Sequence, residues 1–228
     1  MKKLIFLVSG GGGNLNFIAK YIKEISSKEF KIEAVIADRE CGALQIAKNN
    51  NFSSYIVSYT KDTYHELQTL LSKLKPDFII TTFHKIIHKD IVCSYRNKLI
   101  NLHYSLLPSF RALIGDKTVN EAIEAGCKFV GSTTHYVDIE VDNGKIISQC
   151  VFPVGDISLV RKIMSMVFRS GCINLLNSLY IVSDIQQIIN NANSSLLKLD
   201  ENFLLFSPAL RFNTDFLTDD FWRSIETG

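Results

Sequence analysis

The stretch Lys3-Leu4-Ile5-Phe6-Leu7-Val8-Ser9-Gly10-Gly11-Gly12-Gly13-Asn14-Leu15 decides the fold. After its first residue, the run from Lys3 to Val8 is apolar without polar alternation, the pattern of a strand buried on both faces of a parallel sheet. Ser9 and four glycines break it. From Asn14 the apolar positions take helical spacing: Leu15, Ile18, Ala19, Ile22 and Ile25 form a stripe with lysines opposite. A strand that turns through glycine into a helix is the first half of a βαβ unit.

The same rhythm continues outward. Ile32 to Ala37, Tyr55 to Val57, Phe78 to Thr82 and Leu99 to Leu102 read as strands. Between them, Gly42 to Asn49, a stretch with Tyr64, Leu67, Leu70, Leu71 and Leu74, and Ile86 to Tyr95 read as helices. Thr60 or Asp62 can cap the second of these, and Pro76-Asp77 ends it. Then the pattern changes. Val119 to Glu124 is helical, and Phe129 to Val137 and Lys145 to Val154 are strand-like, joined by the hairpin signal Asp142-Asn143-Gly144. Ser158, as a cap, opens a long helix to Tyr180. The expected fold is a Rossmann-like, doubly wound α/β sheet, mostly parallel, with antiparallel strands toward the C-terminal side. The expected division is a catalytic domain over 1–182 and an extension over 183–228. The aromatic residues of that extension (Phe203, Phe206, Phe212, Phe216, Phe221, Trp222) pack on the body or on a second subunit, in a monomer or homodimer.

Composition narrows the function. The 228 residues are 46% hydrophobic and 21% charged, ample for a packed core, with a net charge of +2 and no basic stripe for nucleic acid. No apolar run approaches the about 20 residues of a membrane span. Met1-Lys2-Lys3 before Leu4 to Val8 resembles a signal peptide only superficially, because five apolar residues run straight into the glycines. A cytoplasmic protein is expected. Five scattered cysteines (Cys41, Cys93, Cys127, Cys150, Cys172) without a C-x-x-C pair read as reduced core residues. His84 and His88 have the i, i+4 spacing of a helical metal pair but no carboxylate in the same motif, so no metal is expected.

The glycine loop itself points to an anion. Glycines permit close backbone approach, and the amides that open a helix face negative charge. Gly11, Gly12, Gly13 and Asn14 are the candidate contacts. The Lys-Ser/Thr of a P-loop is missing, and no register supplies the third small residue of a dinucleotide fingerprint. Two readings stay open beside the anion site: a tight turn, and a nicotinamide enzyme with Asp38 on a ribose.

Asn101-Leu102-His103-Tyr104-Ser105-Leu106-Leu107-Pro108 follows the fifth strand. Asn101 and His103 are two apart on an extended backbone, so both face one side, an amide donor beside an imidazole. The segment closely resembles the signature of the folate-dependent formyltransferases, a superfamily whose members act on glycinamide ribonucleotide, methionyl-tRNA and nucleotide sugars. Three further stretches resemble the same family in the same order: Val8 to Leu15 its phosphate loop, Thr82 to Ile87 its folate segment, and Val137 to Gly144 the loop of its catalytic aspartate, which falls on Asp142.

The resemblance implies a formyltransferase fold and an amine N-formyltransferase that uses 10-formyltetrahydrofolate as co-substrate. Asn101, His103 and Asp142 are then catalytic. His84, Lys85, Ile86, Ile87, Val137 and Asp138 lie along the folate, with Lys85 suited to its glutamate tail. Gly13 stands where serine is usual, the loop Ser109 to Lys117 is longer and carries no histidine, and Arg169 falls near a usual acidic position. These departures imply a nucleotide-linked amino sugar as acceptor, bound in part by Arg169. Phosphoribosylglycinamide is the alternative acceptor, and 10-formyltetrahydrofolate hydrolysis or an inactive folate-binding module are the remaining ones.

Overall fold

The structure is a computed structural model that describes residues 1–25, 27–156, 159–185 and 194–226. The chain divides into two compact units, Met1–Asn101 with Thr214–Gly228, and Leu102–Asn213.

The first unit alternates β1 (Lys2–Val8), α1 (Gly13–Glu24), β2 (Phe30–Ala37), α2 (Gly42–Asn49), β3 (Ser53–Ile56), α3 (Tyr64–Leu74), β4 (Phe78–Thr82), α4 (Lys89–Ser94) and the start of β5 (Leu99–His103). Its strands lie in the order β3-β2-β1-β4-β5 and every pairing is parallel. Leu4, Ile5, Phe6 and Leu7 of β1 are wholly buried, as are Ala34 to Ala37 of β2 and Ile79 and Ile80 of β4. This is what an apolar run without alternation requires.

The chain moves outward from β1 to β2 and β3, then returns to the other side of β1 with β4. The order therefore reverses between β1 and β4, whose last residues Val8 and Thr82 are paired. Ligands of doubly wound sheets collect beyond the carboxyl ends of the strands at such a reversal. The two segments that leave from there are the glycine loop and residues 83–88.

In the second unit, α5 (Asp116–Glu124) precedes an antiparallel set in the order β6-β7-β9-β8. These strands span Phe129–Tyr136, Ile146–Pro153, Asn202–Ser207 and Leu196–Leu199 respectively, and α6 (Val160–Val182) packs on β6 and β7. The doubly wound parallel sheet with antiparallel strands toward the C-terminal side is the fold that the alternation predicts.

Several expectations need correction. The helix expected from Ile86 begins only at Lys89, because His88 caps it: its Nδ1 accepts the Asp90 N–H at 3.3 Å. Residues 84–88 are therefore not helical, and His84 and His88 lack the helical spacing of a metal pair. The cap expected at Ser158 lies outside the described residues. The tail is more regular than expected. Its β8 and β9 extend the antiparallel set, and α7 (Asp219–Glu226) packs on α1, where Phe17 meets Phe221 edge-on at 5.6 Å and Trp222 stacked at 5.5 Å. Asn16 Nδ2 donates to the Ile225 carbonyl at 3.2 Å in the same seam. All five cysteines are free, but only Cys150 and Cys172 are core residues, and Cys93 is exposed.

Candidate active site

In the first unit, the glycine loop owes its composition partly to packing. Gly12, the N-cap of α1, has φ of 78°, and a Cβ there would stand 2.7 Å from the Ala43 Cβ. A side chain at Gly42 would meet the Gly11 backbone at 3.3 Å, and the Ala43 N–H donates to the Gly10 carbonyl at 3.1 Å. A glycine is obligatory at Gly12 for conformation and contact together. Gly11 is exposed with open space around it, and Gly13 opens the helix, so the amides of α1 begin at an accessible loop. Asn14 is buried.

Asp38 ends in a different role from that of a ribose ligand. Its carboxylate is fully covered and pairs with Arg39 Nη2 at 2.8 Å and Lys85 Nζ at 3.4 Å. Burial opposes its ionisation, but hydrogen bonds from Arg39, Ser9 and Lys85 and the charge of Arg39 outweigh it and hold the acid down at about 2. Lys85 is thus directed to Asp38 and to the Tyr59 carbonyl, which it reaches at 2.7 Å. Ile86 is 70% exposed, whereas Ile87 is buried.

In the second unit, three buried ionisable side chains meet. Asp142 Oδ2 stands 3.5 Å from His103 Nδ1, and its Oδ1 stands 3.5 Å from Nε2 of His135. His103 Nε2 lies 2.8 Å from the Phe110 carbonyl, and His135 Nδ1 lies 2.9 Å from the Tyr136 carbonyl. Each imidazole therefore has an acceptor at both nitrogens. A neutral ring can donate to only one of them, and an imidazolium donates to both. Burial pushes the Asp142 acid up, but the hydrogen bond from His135, the Ala112 N–H at 2.8 Å and the nearby imidazoles prevail and leave it below its ordinary value. The arrangement is an ionised carboxylate between two imidazoles, suited to orienting them and to relaying protons.

The backbone holds this group under strain. Asp142, Phe110 and Ala112 have φ of 52°, 58° and 60°, a left-handed region that costs non-glycine residues about 1–3 kcal/mol each. The loop Ser109 to Lys117 carries no histidine, yet it supplies two main-chain groups, the Phe110 carbonyl and the Ala112 N–H. The Ser105-Leu106-Leu107-Pro108 motif is the scaffold beneath it. Ser105 Oγ donates to the Ser109 carbonyl at 2.7 Å, and Thr133 Oγ1 accepts the Leu107 N–H and donates to the Ser105 carbonyl.

Of the residues singled out in sequence, His103 and Asp142 are together in this group, and Asn101 is two residues before His103 on β5, paired with Thr81. Val137 and Asp138 leave the end of β6, where Asp138 Oδ1 accepts the Ile139 N–H at 2.6 Å. Arg169 on α6 is engaged with Asp200, Nη1 to Oδ2 at 3.0 Å. Sequence reasoning misses His135. Its signal is a histidine in an otherwise hydroxyl-bearing strand, Ser132-Thr133-Thr134-His135, that leads into the Asp142 loop.

The chain belongs to the formyl transferase family, which residues 2–172 match. It is 33% identical over 161 residues to the chloroplastic phosphoribosylglycinamide formyltransferase of Vigna unguiculata, covering 67% of this chain and 52% of that one. It is 31% identical over 131 residues to the formyltetrahydrofolate deformylase of Haemophilus influenzae, covering 55% of this chain and 46% of that one. The crystal structure of phosphoribosylglycinamide formyltransferase from Anaplasma phagocytophilum superposes with a TM-score of 0.72 at 27% identity, over 87% of this chain and 91% of that one. The chain thus spans about half the length of these two curated relatives.

These relatives correct the expected acceptor. Those from Vigna unguiculata and Anaplasma phagocytophilum are phosphoribosylglycinamide formyltransferases and that from Haemophilus influenzae is a formyltetrahydrofolate deformylase; none of the three is a nucleotide-sugar enzyme. The physical ground for the nucleotide sugar also weakens, because the Arg169 charge is already met by Asp200 within the chain. Among the described residues no helix is long and apolar enough to cross a membrane.

Proposed function

We propose that this chain transfers the formyl group of 10-formyltetrahydrofolate to the amine of phosphoribosylglycinamide. The observation that carries the reading is Asp142 set between His103 and His135 in a member of the formyl transferase family.

The chemistry follows from the groups present. The acceptor amine attacks the formyl carbon, and negative charge develops on the formyl oxygen. Asn101 and His103, whose Nε2 exchanges the Phe110 carbonyl for the formyl oxygen, are the donors for that charge, one such donor being worth about 3–4 kcal/mol. Asp142, held as a carboxylate, keeps His103 oriented and receives the proton of the attacking amine, directly or through water; the proton passes to the folate nitrogen as the bond from that nitrogen to the formyl carbon breaks and tetrahydrofolate leaves. His135 holds the far oxygen of Asp142 and so fixes the plane of the carboxylate. The glycine loop offers helix-opening amides to the acceptor's phosphate. Residues 84–87, with exposed Ile86 beside main-chain groups, offer the apolar and polar surfaces that a flat pterin requires.

The test is formyl transfer in purified protein, read as tetrahydrofolate absorbance with phosphoribosylglycinamide present. Asp142→Asn lowers kcat by about 10²–10⁴ while folate affinity persists. Unchanged kcat in that variant would remove Asp142 from the reaction. A second reading, water as acceptor, is favoured by the deformylase relative. Tetrahydrofolate released equally fast without the amine would select it.

A further inference from the structure

Residues 83–88 leave β4 as neither helix nor strand, so the hydrogen bonds that a regular element would supply must come from elsewhere. Two of them come from one side chain. Tyr59 is 3% exposed, and its hydroxyl accepts the His88 N–H at 2.7 Å and donates to the Ile86 carbonyl at 3.3 Å. Its carbonyl accepts from Lys85 Nζ at 2.7 Å, and its ring lies 5.6 Å from that of Phe83. Asp38 completes the bracket from the end of β2 by holding the same Lys85 ammonium at 3.4 Å. Ser9 Oγ accepts the His84 N–H at 3.0 Å. Ile87 is anchored by its own burial, while His84, Lys85 and Ile86 are exposed.

A hydroxyl that donates to one main-chain group and accepts from another fixes both the path and the peptide orientation of the segment between them. Lys85 gains a second partner from a carboxylate with no solvent face. The segment is thereby ordered before any ligand arrives, and an ordered loop spares the ligand the entropy of ordering it.

We infer that Tyr59 and Asp38 are positioning residues for the formyl donor, holding residues 84–88 in the shape that receives its pterin. The inference rests on the function proposed above. A bracket that served only the fold would, when cut, weaken every ligand alike through lost stability. A positioning bracket weakens the donor alone.

Tyr59→Phe separates these. It keeps the ring beside Phe83 and the carbonyl beneath Lys85, and removes only the hydroxyl. The dissociation constant of 5-formyltetrahydrofolate, a non-reacting isomer of the donor, is measured by equilibrium dialysis in the full chain. Amide exchange of residues 84–88 and the steady-state constants are followed alongside. The expected result is a dissociation constant and donor KM raised about tenfold, one net hydrogen bond being worth about that factor. Exchange at 84–88 quickens, while kcat at saturating donor and the acceptor KM stay within about twofold. Asp38→Asn gives the same direction and carries the test if Tyr59→Phe does not fold. Faster exchange with an unmoved dissociation constant, or donor and acceptor constants rising together, overturns the inference. A wild-type protein that binds no 5-formyltetrahydrofolate overturns the proposed function itself, and this inference with it.

Discussion

The core of the first unit and the core of the second are built from different materials. Around β1, β2 and β4 the wholly buried side chains are Leu4, Ile5, Phe6, Leu7, Val35, Ile36, Ile79 and Ile80, all hydrocarbon. Between α6 and the strands β6 and β7, Ser132, Thr134, Ser148, Asn174 and Ser178 are equally buried. Asn174 Nδ2 donates to the Ser132 and Ser148 carbonyls, each at 3.2 Å, its Oδ1 accepts from Ser148 Oγ, and Thr134 and Ser178 share a hydrogen bond. Hydrocarbon burial stabilises in proportion to area and is non-directional. A polar network is satisfied in one register only, and misregistry leaves unpaired groups. The second unit holds the His103–Asp142–His135 group, in which distances decide chemistry. The first carries the glycine loop and residues 83–88 above its hydrocarbon core.

The comparison breaks most visibly at Leu7. Leu7→Ala removes a wholly buried side chain and leaves a cavity, and urea unfolding should report a loss of about 2–5 kcal/mol. A loss below about 1 kcal/mol would mean that the sheet around β1 collapses to refill the space, contrary to a tightly packed aliphatic core.

A smaller effect is expected at Asn174, and it has a different signature. Asn174→Ala leaves Ser148 and the strand carbonyls short of partners and should cost about 1–3 kcal/mol. Adding Ser148→Ala removes one of the stranded groups, so the double variant should recover part of the loss. Strict additivity in that cycle would show that the two residues do not act as a network.

The same contrast explains what was legible in the sequence. The runs Leu4–Val8 of β1, Ala34–Ala37 of β2 and Phe78–Ile80 of β4 are buried hydrocarbon on both faces, and such runs are visible without any knowledge of their neighbours. β8 and β9 hide because Leu196, Phe203 and Leu205 are apolar yet about half exposed, which erases the alternation of a half-buried strand. α7 has a readable start in Asp219 and Asp220, acids in a first turn, but its aromatic residues read first as packing surface. Within the site, His103 and Asp142 were legible through resemblance. The Ala112 N–H on Asp142, a contact across 30 residues between two left-handed positions, belongs to no local pattern. His135 sits in a strand of hydroxyl residues, where a polar side chain reads as surface, and only the buried network shows why the strand is polar.

The smallest effect concerns acid, and it sharpens the comparison at the two covered carboxylates. Asp38 in the first unit is held down chiefly by Arg39, with Ser9 and Lys85, whereas Asp142 in the second is held chiefly by imidazoles and an amide. Asp38 has an ordinary value of 3.8 and lies at about 2 in the folded chain. A carboxyl depressed on folding contributes stability that is fully present above its unfolded value and is lost as pH falls through the folded one. The Asp38 contribution should therefore be constant above about pH 5 and disappear between 3.8 and about 2. Urea unfolding of wild type and Asp38→Asn across that range measures it directly. The variant should be the less stable at neutral pH, and the two curves should converge toward about pH 2, because a protonated carboxyl and the variant's neutral amide lose the same ion pairs. Curves that stay parallel would assign the Asp38 effect to packing instead of charge, and would leave Lys85 and Tyr59 to hold residues 84–88 without it.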